Sequence, residues 1–178
     1  MYWEPKVKTY GFQVSEGLSL VEIFVPPGQL AEWGGNIQAL EHAVAHFVLV
    51  LIQQALGGGF HVYLLMEARE HEIILEQSRP FFPEGQGDST HIISPVEMIH
   101  FQGPHFGDRY GILDTAFNAL NKSAISILAA ACTGASIYLV LPEKKSEPAK
   151  SVLKEIFEIP KRSIKKRHPP KEQDRSRI

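Results

Sequence analysis

Cysteine is almost missing from this 178-residue chain, with Cys132 as its single thiol. One thiol closes no intramolecular disulfide, so a disulfide-stapled secreted fold is excluded. Long apolar runs are missing too. The longest, Ala43–Ile52, contains His46 and is too short to cross a bilayer. The start, Met1-Tyr-Trp-Glu-Pro-Lys6, lacks a basic segment followed by an apolar one, the pattern of a leader peptide. A soluble, cytoplasmic protein of a reducing compartment is the expectation. The motifs that announce common chemistries are also missing. No Gly-x-Ser-x-Gly elbow, phosphate-binding Gly-Lys-(Ser/Thr), Gly-x-Gly-x-x-Gly turn or His-Glu-x-x-His pair occurs.

What is present is enough apolar material for a core: 44% hydrophobic residues against 21% charged. The formal net charge of -2 is the difference of two unlike parts. Residues 160–178 carry eight Lys/Arg and two Asp/Glu, and the remainder carries ten and eighteen. An acidic body argues against nucleic acid as the main ligand, because phosphate binding needs a basic surface. The tail Lys161–Pro170 offers charge for nucleic acid, anionic lipid or an acidic partner, but it has no aromatic residue among its charges, and the alternative is a flexible, solubilising or weakly self-docking terminus.

Glycine and proline punctuate the body into alternating elements. Val7–Val14 reads as an edge strand closed by Gly17, and Leu18–Val25 as a β-rich strand stopped by Pro26-Pro27-Gly28. Ile37, Leu40, Val44, Phe47, Val48 and Leu51 recur at helical spacing and predict a helix over 36–56, ended by Gly57-Gly58-Gly59. Phe60–Ala68 reads as a buried strand and Glu72–Gln77 as a further strand. Ser78–Thr90, with Pro80, Pro83, Gly85 and Gly87, is the expected domain boundary. Beyond it come a strand at His91–Gln102, a loop at Gly103–Gly111 and a helix at Ile112–Ser123. Strands at Ile125–Cys132 and Ser136–Leu141 follow, then a helix at Glu147–Phe157 with Ser146 as N-cap. Each half runs from a strand opening Val-Glu (Val21-Glu22, Val96-Glu97) through a Gly/Pro loop into a helix. That shared order reads as a diverged repeat, with units at 1–80 and 90–159.

The stretch Asp108-Arg-Tyr-Gly-Ile-Leu113, with Ala124-Ile-Ser-Ile127 after the helix, resembles an ACT domain of the kind in the regulatory region of aspartate kinases. Tyr110 stands where that family has proline, and the approach Gly103-Pro-His-Phe-Gly107 is longer than usual. The resemblance covers residues 93–157 directly and the first half only through the repeat. It implies an α+β fold of two ferredoxin-like βαββαβ units with antiparallel sheets. The second unit then lacks a fourth strand, for which Val7–Val14 is the candidate, and the first lacks a second helix.

The loop Gly103–Gly111 is the candidate ligand site. Its glycines let backbone approach a ligand closely, and it feeds a helix N-terminus whose unpaired N–H groups favour a carboxylate. Gly103, His105, Asp108, Arg109, Tyr110, Gly111 and Ile112 make up the set, with Asp108 placed to balance an ammonium group. The alternative is a structural turn with Asp108 as a local cap. His42 and His46 share a helical face but lack further ligands, so no metal and no cofactor are expected. Cys132 reads as a small core residue, and Glu67, Glu70, Glu72 and Glu76 as a solvated stretch.

The resemblance implies a non-catalytic regulatory module that binds an amino acid and acts through the packing of its units. A homodimer, and a separate enzyme chain as the regulated partner, are the expected associations. Two alternatives stand beside it: a dimerisation platform without ligand, and a small enzyme working through His105 and Asp108.

Overall fold

The computed structural model describes residues 6–41, 45–78, 90–104 and 106–159. The expected boundary loop, apart from its end residues, and the basic tail both lie outside them. In chain order the elements are β1 (Val7–Lys8), β2 (Phe12–Val25), α1 (Leu30–Glu41), β3 (Leu49–Gln54), β4 (Phe60–Glu67), α2 (His71–Ser78), β5 (Thr90–Gln102), α3 (Ile112–Lys122), β6 (Ala129–Cys132), β7 (Ser136–Pro142), α4 (Ser146–Ile156) and β8 (Phe157–Glu158).

Six strands form one antiparallel sheet in the order β3-β4-β2-β5-β7-β6. The two central strands are long enough to serve twice. Leu18–Val25 of β2 pairs with β4 as the first strand of one unit, and its fourth position is filled by the start of β5, through Leu20↔Ile93 to Ile23↔Thr90. Val96–Gln102 of β5 pairs with β7 as the first strand of the other unit, and there the fourth position is filled by Phe12–Ser15. Each unit therefore has the ferredoxin-like strand order, and each borrows its last strand from the other. A bulge between Ser15 and Leu18, with Gly17 at φ 66°, marks where β2 changes partner units.

Strand alternation distributes three cores. Val21, Ile23, Val25, Val62, Leu64 and Met66 face the helices of the first unit with Trp33 of α1. Ile99, Phe101, Ile137, Leu139 and Leu141 face α3 and α4, joined by Phe106 and Phe157. The alternate residues Leu18, Leu20, Leu65, Val96, Met98 and Val140 make a third cluster on the faces turned away from the helices, with contributions from both units. Gln53 of β3 shares a cavity wall with residues 125–130, which run into β6.

The Val7–Val14 segment divides. Phe12–Val14 pair with β5 as the missing fourth strand, whereas Val7–Lys8 pair in parallel with β8. The predicted 36–56 helix is corrected. The helix occupies Leu30–Glu41, and residues from Leu49 form an edge strand against β4. The apparent stripe combined residues of two elements. Gly57-Gly58-Gly59 closes a hairpin rather than a helix, with Ala55 N–H donating to the Gly59 carbonyl at 3.1 Å and all three glycines at positive φ. The strand expected at Glu72–Gln77 is helix α2, so the first unit does have its second helix. Glu, Leu and Gln favour helix, and Glu72 and Glu76 take one face of it. Ser146 is the first residue of α4 rather than its N-cap, and β6 is shorter than expected, beginning at Ala129.

Candidate ligand-binding site

Gly103 begins the loop at the close of β5 and is buried. A Cβ there would lie 2.3 Å from the Lys8 carbonyl oxygen and 2.3 Å from Phe106 Cε1. Its role is thus packing: it lets the N-terminal segment cross β5, where Tyr10 N–H and Thr9 Oγ1 both donate to the Gln102 carbonyl, at 2.9 and 2.8 Å. Gly103→Ala is expected to cost about 3 kcal/mol through overpacking against backbone, seen as a fall in Tm of about 6–12 °C. An unchanged Tm would show that the crossing is not tight.

His105 lies outside the described residues. Phe106 turns inward and meets Phe101 edge-on at 5.8 Å, which anchors the loop to the core. Asp108 is exposed and does not line the cavity described below. Nor does it cap α3. The residue at the N-cap is Gly111, at φ 79°, which has no side chain to cap with. The Gly111 carbonyl instead accepts from Thr115 N–H at 2.9 Å and Thr115 Oγ1 at 2.8 Å. The N–H groups of the first turn of α3 have no acceptor within the helix.

Beside this helix start is a cavity of about 350 Å³, lined by Phe106, Arg109–Asp114, Cys132 and Ile137. Four residues of the expected set, Arg109, Tyr110, Gly111 and Ile112, share its wall, while Tyr110 is fully exposed to solvent. Cys132 is corrected from core to surface. It is exposed at the end of β6 and contributes to this wall. Its pairing opposite Ile137 turns it toward the helix side of the sheet, a placement that depends on register and not on local sequence.

Several titratable groups elsewhere serve the scaffold. Glu70 is corrected from solvated to buried, at 7% exposure. Glu97, at 6% exposure, accepts from Lys144 N–H at 2.8 Å and Ser146 N–H at 2.7 Å, and so caps α4 from the neighbouring strand. Burial pushes its carboxyl up, but the donors of Ser146, Lys144 and Lys145 outweigh this and hold it below the usual range. His61 and Tyr63 share a face as alternation requires, with rings 6.2 Å apart, and His61 Nδ1 lies 2.8 Å from Glu22 Oε1. His100 stacks on Tyr138 at 4.5 Å, and burial pushes its pKa down.

Ser19 Oγ lies 3.1 Å from His71 Nδ1, a pair no sequence spacing suggested. It is not a nucleophile and base. His71 Nδ1 must carry its proton to reach the Ala68 carbonyl at 2.6 Å, and the fully buried Ser19 donates to Ser94 Oγ at 2.6 Å. His42 lies outside the described residues, and His46 is exposed beyond the end of α1. Among the described residues no group of three or more His, Cys, Asp or Glu could hold a metal ion. No helix there is long and apolar enough to cross a membrane.

No family model and no curated protein matches the sequence. The fold has clear relatives among solved structures. The chain is similar to the regulatory subunit of aspartate kinase from Thermus flavus, with a TM-score of 0.73 at 13% identity, covering 84% of this chain and 98% of that one. It is similar to aspartate kinase from Synechocystis, with a TM-score of 0.71 at 15% identity, over 89% of this chain and 29% of the other. It is also similar to Escherichia coli aspartokinase III in complex with lysine and aspartate, with a TM-score of 0.56 at 14% identity, over 88% of this chain and 35% of that one. At these identities the likeness establishes a shared fold: the paired βαββαβ architecture found in regulatory parts of aspartate kinases.

Proposed function

We propose that this chain is a non-catalytic regulatory module that binds an amino acid at the wall formed by Arg109–Asp114. It acts by shifting the packing of its two ACT-like units. The observation that carries the reading is the cavity at the start of α3, on a fold that matches the Thermus flavus regulatory subunit over nearly its whole length. A ligand carboxylate suits the first-turn N–H groups and the Arg109 guanidinium, and Asp114 supplies the opposite charge for an ammonium group. Because the two units share β2 and β5, a ligand that stabilises one packing moves both units together. The output is read by a separate enzyme chain.

The outer edge of β3 supports self-association. Its six residues, Leu49–Gln54, carry no charge, and Val50 and Ile52 are 40% and 50% exposed. Such an edge is covered by a partner in a homodimer. That feature also favours a second reading, a dimerisation platform without a ligand.

A thermal-shift panel of the twenty amino acids separates the two readings. At one hundred times its dissociation constant, a ligand of the native state adds about 2.7 kcal/mol, or about 5–10 °C in Tm for a chain of this size. No shift with any amino acid would leave the platform reading standing and remove the regulatory one.

A further inference from the structure

We infer that the cavity beside Arg109 takes an amino acid with an uncharged, apolar side chain and rejects a basic one. This rests on the reading of that wall as the ligand site and goes on to name the ligand class. The floor of the cavity is the core of the second unit. Phe106, Ile112 and Ile137 are 7%, 6% and 0% exposed, and Leu113 packs against the same cluster. Cys132 adds a thiol at the side. The charged groups of the wall are Arg109 and Asp114, on the loop and the first helical turn, both more exposed than the floor. Asn118 Nδ2 donates to Asp114 Oδ2 at 3.0 Å and holds that carboxylate in place.

One anion and one cation at the rim match the two charges every free amino acid carries. A guanidinium takes the carboxylate as a fork, and Asp114 faces the ammonium. Beyond them the wall offers the side chain buried Phe106, Ile112 and Ile137, half-buried Leu113, the Cys132 thiol and, at its solvent edge, the fully exposed Tyr110. A lysine or arginine side chain would bury its charge against carbon with no carboxylate to meet it, and an aspartate or glutamate side chain would meet no second cation. Branched aliphatic, thioether and aromatic side chains fill such a floor with gain from burial. The lysine complex of aspartokinase III therefore predicts the wrong ligand for this chain, despite the shared fold.

Cys132 makes the test site-specific. It is the only cysteine of the chain, it is exposed, and it stands in the cavity wall, so its alkylation by iodoacetamide reports occupancy of this cavity alone. The full chain would be alkylated in leucine, isoleucine, methionine, phenylalanine, lysine, arginine or glutamate, with Tm measured in parallel. The expected result is about tenfold slower alkylation at ten times the dissociation constant of one apolar amino acid. That affinity should weaken about tenfold or more in Arg109→Gln, which loses the charged fork, while Arg109→Gln keeps the wild-type circular dichroism. Protection by lysine or arginine equal to or better than that by the apolar set overturns the ligand class but leaves the site in place. A rise in Tm without protection of Cys132 overturns both the class and the location. No effect of any amino acid on either readout overturns the regulatory reading together with this inference.

Discussion

A chain lacking residues 1–16 is expected to lose the fold of its second half, although the deletion is remote in sequence from residues 90–159. Phe12–Ser15 form the fourth strand of the second unit, and Thr9 is fully buried where the segment crosses β5. Phe12 packs against Phe101 and Phe157, with ring centroids 5.1 and 6.4 Å away. Removing Phe12 exposes about 2 kcal/mol of apolar burial, and half-buried Val7 and Val14 add about 1 kcal/mol each. The Thr9 hydroxyl bond to Gln102 adds about 1 kcal/mol more. A total near 5 kcal/mol is comparable with the whole stability of a typical domain, about 5–15 kcal/mol. It also bares the β5 edge. Amide-resolved NMR should show collapse of the α3, β6, β7 and α4 signals. A deletion chain whose second half keeps native dispersion would refute the exchange of strands between units.

Loss of the Glu97 carboxylate should be the most damaging single substitution outside the hydrophobic core. Its oxygens satisfy the N–H groups of Lys144 and Ser146 at a helix start where Ser146 is 1% exposed. Glu97→Ala leaves at least two donors without a partner and should cost about 4 kcal/mol, and Glu97→Gln, which keeps one acceptor, about 2 kcal/mol. The effect also has a pH signature. A carboxyl held low in the folded state stabilises fully above its unfolded value of about 4.3, and the contribution fades as pH falls below that toward the folded pKa. Urea midpoints of wild type and Glu97→Gln should therefore converge on acidification below about pH 4 and stay apart at neutral pH. A gap that does not change with pH would mean the cap is not ionic.

Much of this architecture is legible in the chain because its punctuation is strong. The loop Gly103–Gly111, the stripe of α3 and the alternation of β7 each carry a single meaning. The failures occur where local signals overlap. Residues 36–56 hold the end of one helix and an edge strand, and their apolar positions coincide with a 3.6 period by accident. Gly34 and Gly35, poor helix formers, sit inside α1 and hid its true start. The strand exchange left only an indirect trace, a second unit without a fourth strand, because long-range pairing leaves no short-range mark. The two Val-Glu pairs suggested the repeat, but they are two residues out of register. Glu22 lies three residues before the ladder end at Val25↔Phe60, and Glu97 five before Gln102↔Ser136. Their roles diverge accordingly, one beside His61 and one on the cap of α4. At the candidate site, Arg109–Ile112 could be read from the loop, but Cys132 and Ile137 enter only through sheet register, and Gly103 serves packing.

The central proposal is that the folded chain binds an amino acid at the start of α3. Isothermal titration of the full chain with each of the twenty amino acids tests it most directly. The account predicts saturable binding of at least one of them, lost or much weakened in Arg109→Gln while that variant's fold is retained. The absence of measurable binding to every amino acid at millimolar concentration, by a chain with native circular dichroism, would contradict it.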